Sequence, residues 1–167
     1  MSKSHASDSV VLETPTIPVS GIDDSVLKLV EDLRDTMWSY DICVGLAAPQ
    51  VGERLRVAVV NPKRESRDED LPLINPVLIS TWGAKDSKRE SCMSLWGLQG
   101  EVVRRSKVKV RFTNILGEEE ERVFEGFIGR VIQHEVDHLD GILYVRRLES
   151  ASDLEPSAVF DGQPEPA

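Results

Sequence analysis

Cysteine is scarce: Cys43 and Cys92 are the only two in 167 residues. Two thiols make no disulfide framework, so a secreted cross-linked scaffold is excluded and a cytoplasmic setting is expected. Long apolar runs are missing as well. None approaches the roughly 18 residues that a bilayer span needs, and Met1–Ser9 is polar, unlike a signal peptide. Positive charge is in deficit, with 20 Lys+Arg against 29 Asp+Glu and a net charge of −9. Such a balance disfavours gripping a phosphate backbone, and no sequence-specific nucleic-acid partner is expected. There are only three histidines. What is present is a 40% hydrophobic fraction, enough for the core of one domain.

Read along the chain, residues 1–9 are expected to form a disordered arm and 10–150 a single domain. The stretch 151–167, acidic and carrying Pro156, Pro164 and Pro166, reads as a solvated tail. Its alternative is a docked segment using Leu154, Val159 and Phe160. Val26, Leu29, Val30, Leu33 and Met37 form one helical apolar stripe, capped by Asp23 or Asp24. Leu55–Val60 reads as a buried strand, and Leu71–Ser80, interrupted by Pro72 and Pro76, as strand pieces at an edge. Trp82–Lys88 reads as a loop. Lys107–Phe112 alternates as a half-exposed strand, and the acid run after Gly117 as a solvated hairpin tip. A second helix is predicted from about Phe127 to Leu139, ended by Gly141. Strands between two helices suggest an α+β fold.

The second helix carries His134-Glu135-Val136-Asp137-His138. Histidines at i and i+4 lie about 40° apart around a helix, so both rings can reach one ion. Glu135 beside them can take a proton from a water. Phe127 and Val131, on the turns before the histidines, would line the dry wall of such a site. A third ligand is needed, and spacing alone does not choose between Cys43 and Cys92.

Three segments resemble the signature motifs of peptide deformylases. Gly45-Leu46-Ala47-Ala48-Pro49-Gln50 resembles G-x-G-h-A-A-x-Q, and Glu90-Ser91-Cys92-Met93-Ser94 resembles E-G-C-h-S. Gln133 to Gly141 reads Q-H-E-x-D-H-L-x-G without a break. Order and spacing fit, and the resemblance covers about Val10 to Leu148. It implies a peptide-deformylase-like α+β fold, with antiparallel sheets around a central metal-binding helix. It implies Cys92, His134 and His138 as ligands of one Fe²⁺, for which Zn²⁺, Ni²⁺ or Co²⁺ can substitute. By the same resemblance Glu135 is the general acid/base, and the Gln50 amide and the Met93 backbone N–H stabilise the oxyanion. The backbone of Val44 and Gly45 would hold the peptide, Val131 with Ile132 would line a methionine pocket, and Arg104 would hold substrate backbone or a nearby acid. The implied substrate is an N-formylmethionyl peptide, the implied state a cytoplasmic monomer with transient ribosome contact.

The chain departs from these motifs at four places. Cys43 and Ser91 stand where the family has glycine, Met93 where it has leucine, and Trp96 where proline is frequent. Cys43 and Ser91 add side chains where substrate backbone passes closely. Beside a working deformylase, this allows a paralogue acting on another formyl or acyl amide, or a non-catalytic formyl-peptide binder. The complete set of ligands, base and glutamine argues against loss of catalysis. Cys43 is expected to pack as a small buried side chain. Trp96 either covers the cleft or packs at the surface. Glu90 or Asp137 could orient a ligand histidine, or Asp137 could pair with Arg104 or Arg105.

Overall fold

The structure is a computed structural model that describes residues 10–165, so the arm expected at 1–9 lies outside it. Helix α1 spans Asp24–Trp38. Of the two candidate caps Asp23 is used, its carboxylate accepting from the Val26 N–H at 3.0 Å. The predicted stripe is the buried face, packed on Leu46, Val57, Val59 and Ile74.

Six strands follow the order β1 (Gly45–Ala47), β2 (Val57–Val60), β3 (Leu71–Ser91), β4 (Leu98–Thr113) and β5 (Glu119–Glu125), each antiparallel to the next, with β6 (Glu155–Pro156) set beside the start of β4. β1 and β2 are apolar and buried on both faces, sandwiched between α1 and helix α2, Phe127–Leu139. Val131, Ile132 and Val136 of α2 pack on Val60, Leu73, Val108, Val110 and Phe112. This burial brings the His-Glu-x-x-His segment against the sheet. The chain is thus α+β, as expected.

Gly141 ends α2 at φ +76, a conformation that strains any residue with a Cβ. It has a second role. A Cβ there would lie 2.8 Å from the carbonyl carbon of Glu13, because the N-terminal segment crosses the helix end at this point. Thr16 fixes that crossing by donating its N–H and hydroxyl to the Leu139 carbonyl, at 2.9 and 2.7 Å.

Two expectations are corrected. Trp82–Lys88 is not a loop but the middle of β3, whose pairing with β4 runs from Ile74↔Thr113 to Ser91↔Gln99. The register shifts near Pro76, Ser80 and Gly83, and these irregularities erase the alternation that would have signalled a strand. The supposed solvated tail is docked. Leu98 pairs with Pro156 and Gln99 with Glu155, and the Phe160 ring is buried against Trp96, with centroids 4.4 Å apart. The alternative reading, a docked segment using Leu154, Val159 and Phe160, is the one that the described part of the tail follows. On β5 the acids form a ladder with basic residues of β4, Glu121 with Lys109 and Arg111, and Glu119 with Arg111.

Candidate active site

The sulfur of Cys92 and one ring nitrogen each of His134 and His138 all lie within 4.8 Å of one another. Cys92 Sγ stands 3.1 Å from His138 Nε2. The spacing-level ambiguity is therefore resolved for Cys92. It ends the β3 arm and caps the short 3-10 turn Met93–Leu95, which aims its sulfur at α2. Cys43 instead turns its thiol to the Gly45 carbonyl at 3.2 Å, buried, as a packed side chain. Burial pushes that thiol up to about 12, so it stays neutral. Burial likewise opposes charge on Cys92, but the adjacent His138 and His134 outweigh it and hold the thiol well below its ordinary value. A thiolate and two imidazoles converging in a dry site form a donor set for a soft or borderline divalent cation. Cys92 and His138 are buried, and His134 keeps 11% of its side chain exposed.

A charged web stands behind this trio. Glu90 accepts from His134 Nδ1 at 2.8 Å, which turns Nε2 of that ring toward the cluster. The same carboxylate accepts from Arg104 at 2.6 and 2.9 Å and from Arg130 at 2.6 Å. Burial raises the cost of charging Glu90, yet His134 and Arg104 hold it far below the usual carboxylate range. Asp137 meets Arg104 at 3.0 Å and Arg147 at 2.8 Å. Glu90 thus orients the histidine, and Asp137 holds arginines. Of the two roles expected for Arg104, substrate backbone or a nearby acid, it takes the second: it is buried against these acids and does not line the cavity. Arg130 was missed by sequence reading, although its place four residues before His134 puts it on the same helix face.

A cavity of about 230 Å³ opens in front of the trio. Val44, Gly45, Gln50, Met93, Val131 and Glu135 all line it, as the sequence suggested, together with Phe127 at the rim. Ile132 lies outside it, in the core between helix and sheet. Ser91 and Cys43 line it as well, and Trp96 does not; it stands behind Phe160. A Cβ at Gly45 would sit 2.8 Å from Glu135 Oε1 and 2.9 Å from Val131, so any side chain there would displace them. The Gln50 carbonyl accepts from Ala47 N–H at 2.9 Å, which directs the amide nitrogen to Ser94 Oγ at 3.1 Å and toward Cys92 Sγ at 3.6 Å. Glu135 is buried, and its Oε2 has no partner among the described residues. Burial, the largest influence, raises its pKa, against the pull of the two histidines.

A sequence profile of polypeptide deformylases matches residues 4–153. A peptide deformylase of Desulfitobacterium hafniense is 41% identical over 144 residues, covering 86% of this chain and 92% of that protein. Among solved structures, a peptide deformylase from Synechococcus elongatus in complex with actinonin superposes with a TM-score of 0.82 at 34% identity, covering 90% of this chain and 79% of that one. A class I type b peptide deformylase from Acinetobacter baumannii, solved with Met-Ala-Ser bound, has a TM-score of 0.75 at 34% identity, covering 83% and 92% of the two chains.

Proposed function

The chain belongs to the peptide deformylase family, which removes the N-formyl group from new polypeptides, and from that premise we propose which of its residues carry the reaction. One observation bears the assignment: Cys92, His134 and His138 converge, and Cys92, His134 and Glu135 line one cavity.

Cys92, His134 and His138 would hold the metal, proposed to be Fe²⁺, with Zn²⁺, Ni²⁺ or Co²⁺ able to substitute. A divalent cation there supplies Lewis acidity, lowering the pKa of water and polarising the formyl carbonyl. Glu135 takes the proton of the attacking water on Oε2, the oxygen without a protein partner. Its raised pKa brings it nearer neutrality, where a general base works best. Water oxygen bonds to the formyl carbon, the C–N bond breaks, and Glu135 returns the proton to the departing amine. Formate and a free N-terminus result. Gln50 Nε2 and the Met93 N–H donate to the oxygen that gains charge in between. Met93 opens its 3-10 turn, where no preceding carbonyl of the turn can take its N–H.

β1 is the outermost strand of the ladder, so its free edge can pair with an extended peptide through Val44 and Gly45. Val131 would floor the methionine pocket. Arg104 acts on Glu90 and Asp137 rather than on substrate. No helix among the described residues is long and apolar enough to cross a membrane. We place the protein in the cytoplasm as a monomer meeting nascent chains.

Formate release from formyl-Met-Ala-Ser by anaerobically prepared, Fe²⁺-loaded protein tests the assignment. Turnover should fall by about 10²–10⁴-fold in Glu135→Ala, with metal content unchanged. Full activity in that variant would refute the role of Glu135. No formate from correctly loaded wild-type protein would refute the substrate.

A further inference from the structure

The profile match ends at residue 153, yet the cavity wall is completed by residues beyond it. Val159 and Phe160, from the 3-10 turn Ala158–Phe160, line the cavity together with Met93, Phe127 and Val131. This turn is anchored at three points. β6 pairs with the start of β4, Ser157 N–H donates to the Gly97 carbonyl at 2.8 Å, and Phe160 packs on Trp96 with centroids 4.4 Å apart. Trp96 in turn follows directly on the Met93–Leu95 turn that carries the oxyanion N–H.

The two wall residues differ in what they leave uncovered. Phe160 is 6% exposed and already packed, whereas Val159 is 50% exposed and faces the cavity. Phe127, also a lining residue, is 58% exposed. Apolar area left open at the mouth of a catalytic cavity is area that a ligand can cover. Polar groups that would satisfy a polar side chain at this wall are not among these residues.

We infer that Val159, held in place by Phe160 and Trp96, is a specificity residue: it contacts an apolar side chain of the formyl peptide and favours it over a polar one. The inference rests on the deformylase reading above. It makes the carboxyl-terminal segment a part of the substrate cavity. Phe160 is a positioning residue, acting through Val159.

The test uses the metal-loaded 167-residue chain and its Val159→Ser and Phe160→Leu variants. Val159 is half exposed, so the serine variant should fold as the parent does. Formate release is measured on formyl peptides whose first and second residues are varied in turn between methionine or leucine and serine or glutamine. Binding of the matching unformylated peptides is measured by calorimetry. At one of the two positions, Val159→Ser should shrink the apolar-over-polar preference in kcat/KM about tenfold, largely through KM. Phe160→Leu should shift it in the same direction with an intermediate size. Unchanged ratios at both positions in Val159→Ser, with wild-type turnover intact, would overturn this inference and leave the deformylase reading standing. A wild-type protein that binds the peptides with a preference lost in Val159→Ser, but releases no formate, would uphold the wall and overturn the deformylase reading. Neither binding nor turnover would overturn both.

Discussion

Gly45 and Gln50 show how finely single residues set this site. A methyl group at Gly45 would meet Glu135 Oε1 at 2.8 Å and Val131 at 2.9 Å, both of them side chains able to give way. Gly45→Ala should therefore fold, at a cost of about 1–3 kcal/mol in stability, while kcat falls by more, since the group that yields is the base. Stopped-flow turnover set against a urea titration separates the two losses, and a drop in stability without one in kcat would refute it. On the proposed role of Gln50, Gln50→Ala removes one donor from the oxyanion and should lower kcat by roughly 10²–10³-fold, about 2.7–4 kcal/mol, with KM little changed. Much of this was legible before any coordinates. His134, His138, Glu135 and Gln50, the residues proposed as ligands, base and oxyanion donor, lie in short motifs whose spacing reports geometry directly. For Arg104 the sequence left two roles open because a buried arginine and a substrate-facing one look alike; its two acids, Glu90 and Asp137, decide for the buried one.

Among elements, the helices were readable because their apolar period is undisturbed, and both end on a recognisable cap or glycine. The long β3–β4 arm was not. Between Thr81 and Arg89 most of its side chains are exposed and the register slips, so backbone pairing holds it without an alternating pattern. The docked tail stood only as the alternative for a related reason, since one aromatic among prolines and acids gives no period. Gly141 is where the end of α2 and the N-terminal segment depend on one residue. Gly141→Ala combines a left-handed backbone penalty of about 1–2 kcal/mol with overlap against Glu13 backbone at 2.8 Å, which cannot rotate away. Its urea midpoint should fall more than that of Gly45→Ala; equal midpoints would show that the N-terminal crossing contributes nothing. Leu33→Ala, in the fully buried stripe of α1, should cost about 2–5 kcal/mol.

For the whole molecule, the proposed metal joins parts that are distant in sequence: Cys92 from the β3–β4 arm and two histidines from α2. A ligand that binds only the folded chain stabilises it by about 2.7 kcal/mol at a hundredfold excess over its Kd. Differential scanning calorimetry should show a melting temperature that rises with added Zn²⁺ or Fe²⁺ and falls with chelator. A Cys92→Ser chain should lose most of that rise. A rise of the same size in Cys92→Ser would mean that the ion binds elsewhere.

An open sheet has two free edges, and each can template a stranger. Here they are treated differently. β1 is three residues long, and its edge is the one proposed to take substrate. β5 is longer and carries exposed Val123, with exposed Ile115 and Leu116 at its hairpin. On that strand the acids laddered with Lys109 and Arg111 keep a row of charge where a second copy would have to add. Replacing Glu119 and Glu121 by valine would leave catalysis intact in dilute solution. It would also turn a protected margin into a seed for fibril-like stacking, visible as concentration-dependent light scattering. On this reading the acid run that promised nothing catalytic guards β5 against self-recognition, while β1 stays the margin proposed to accept a strand.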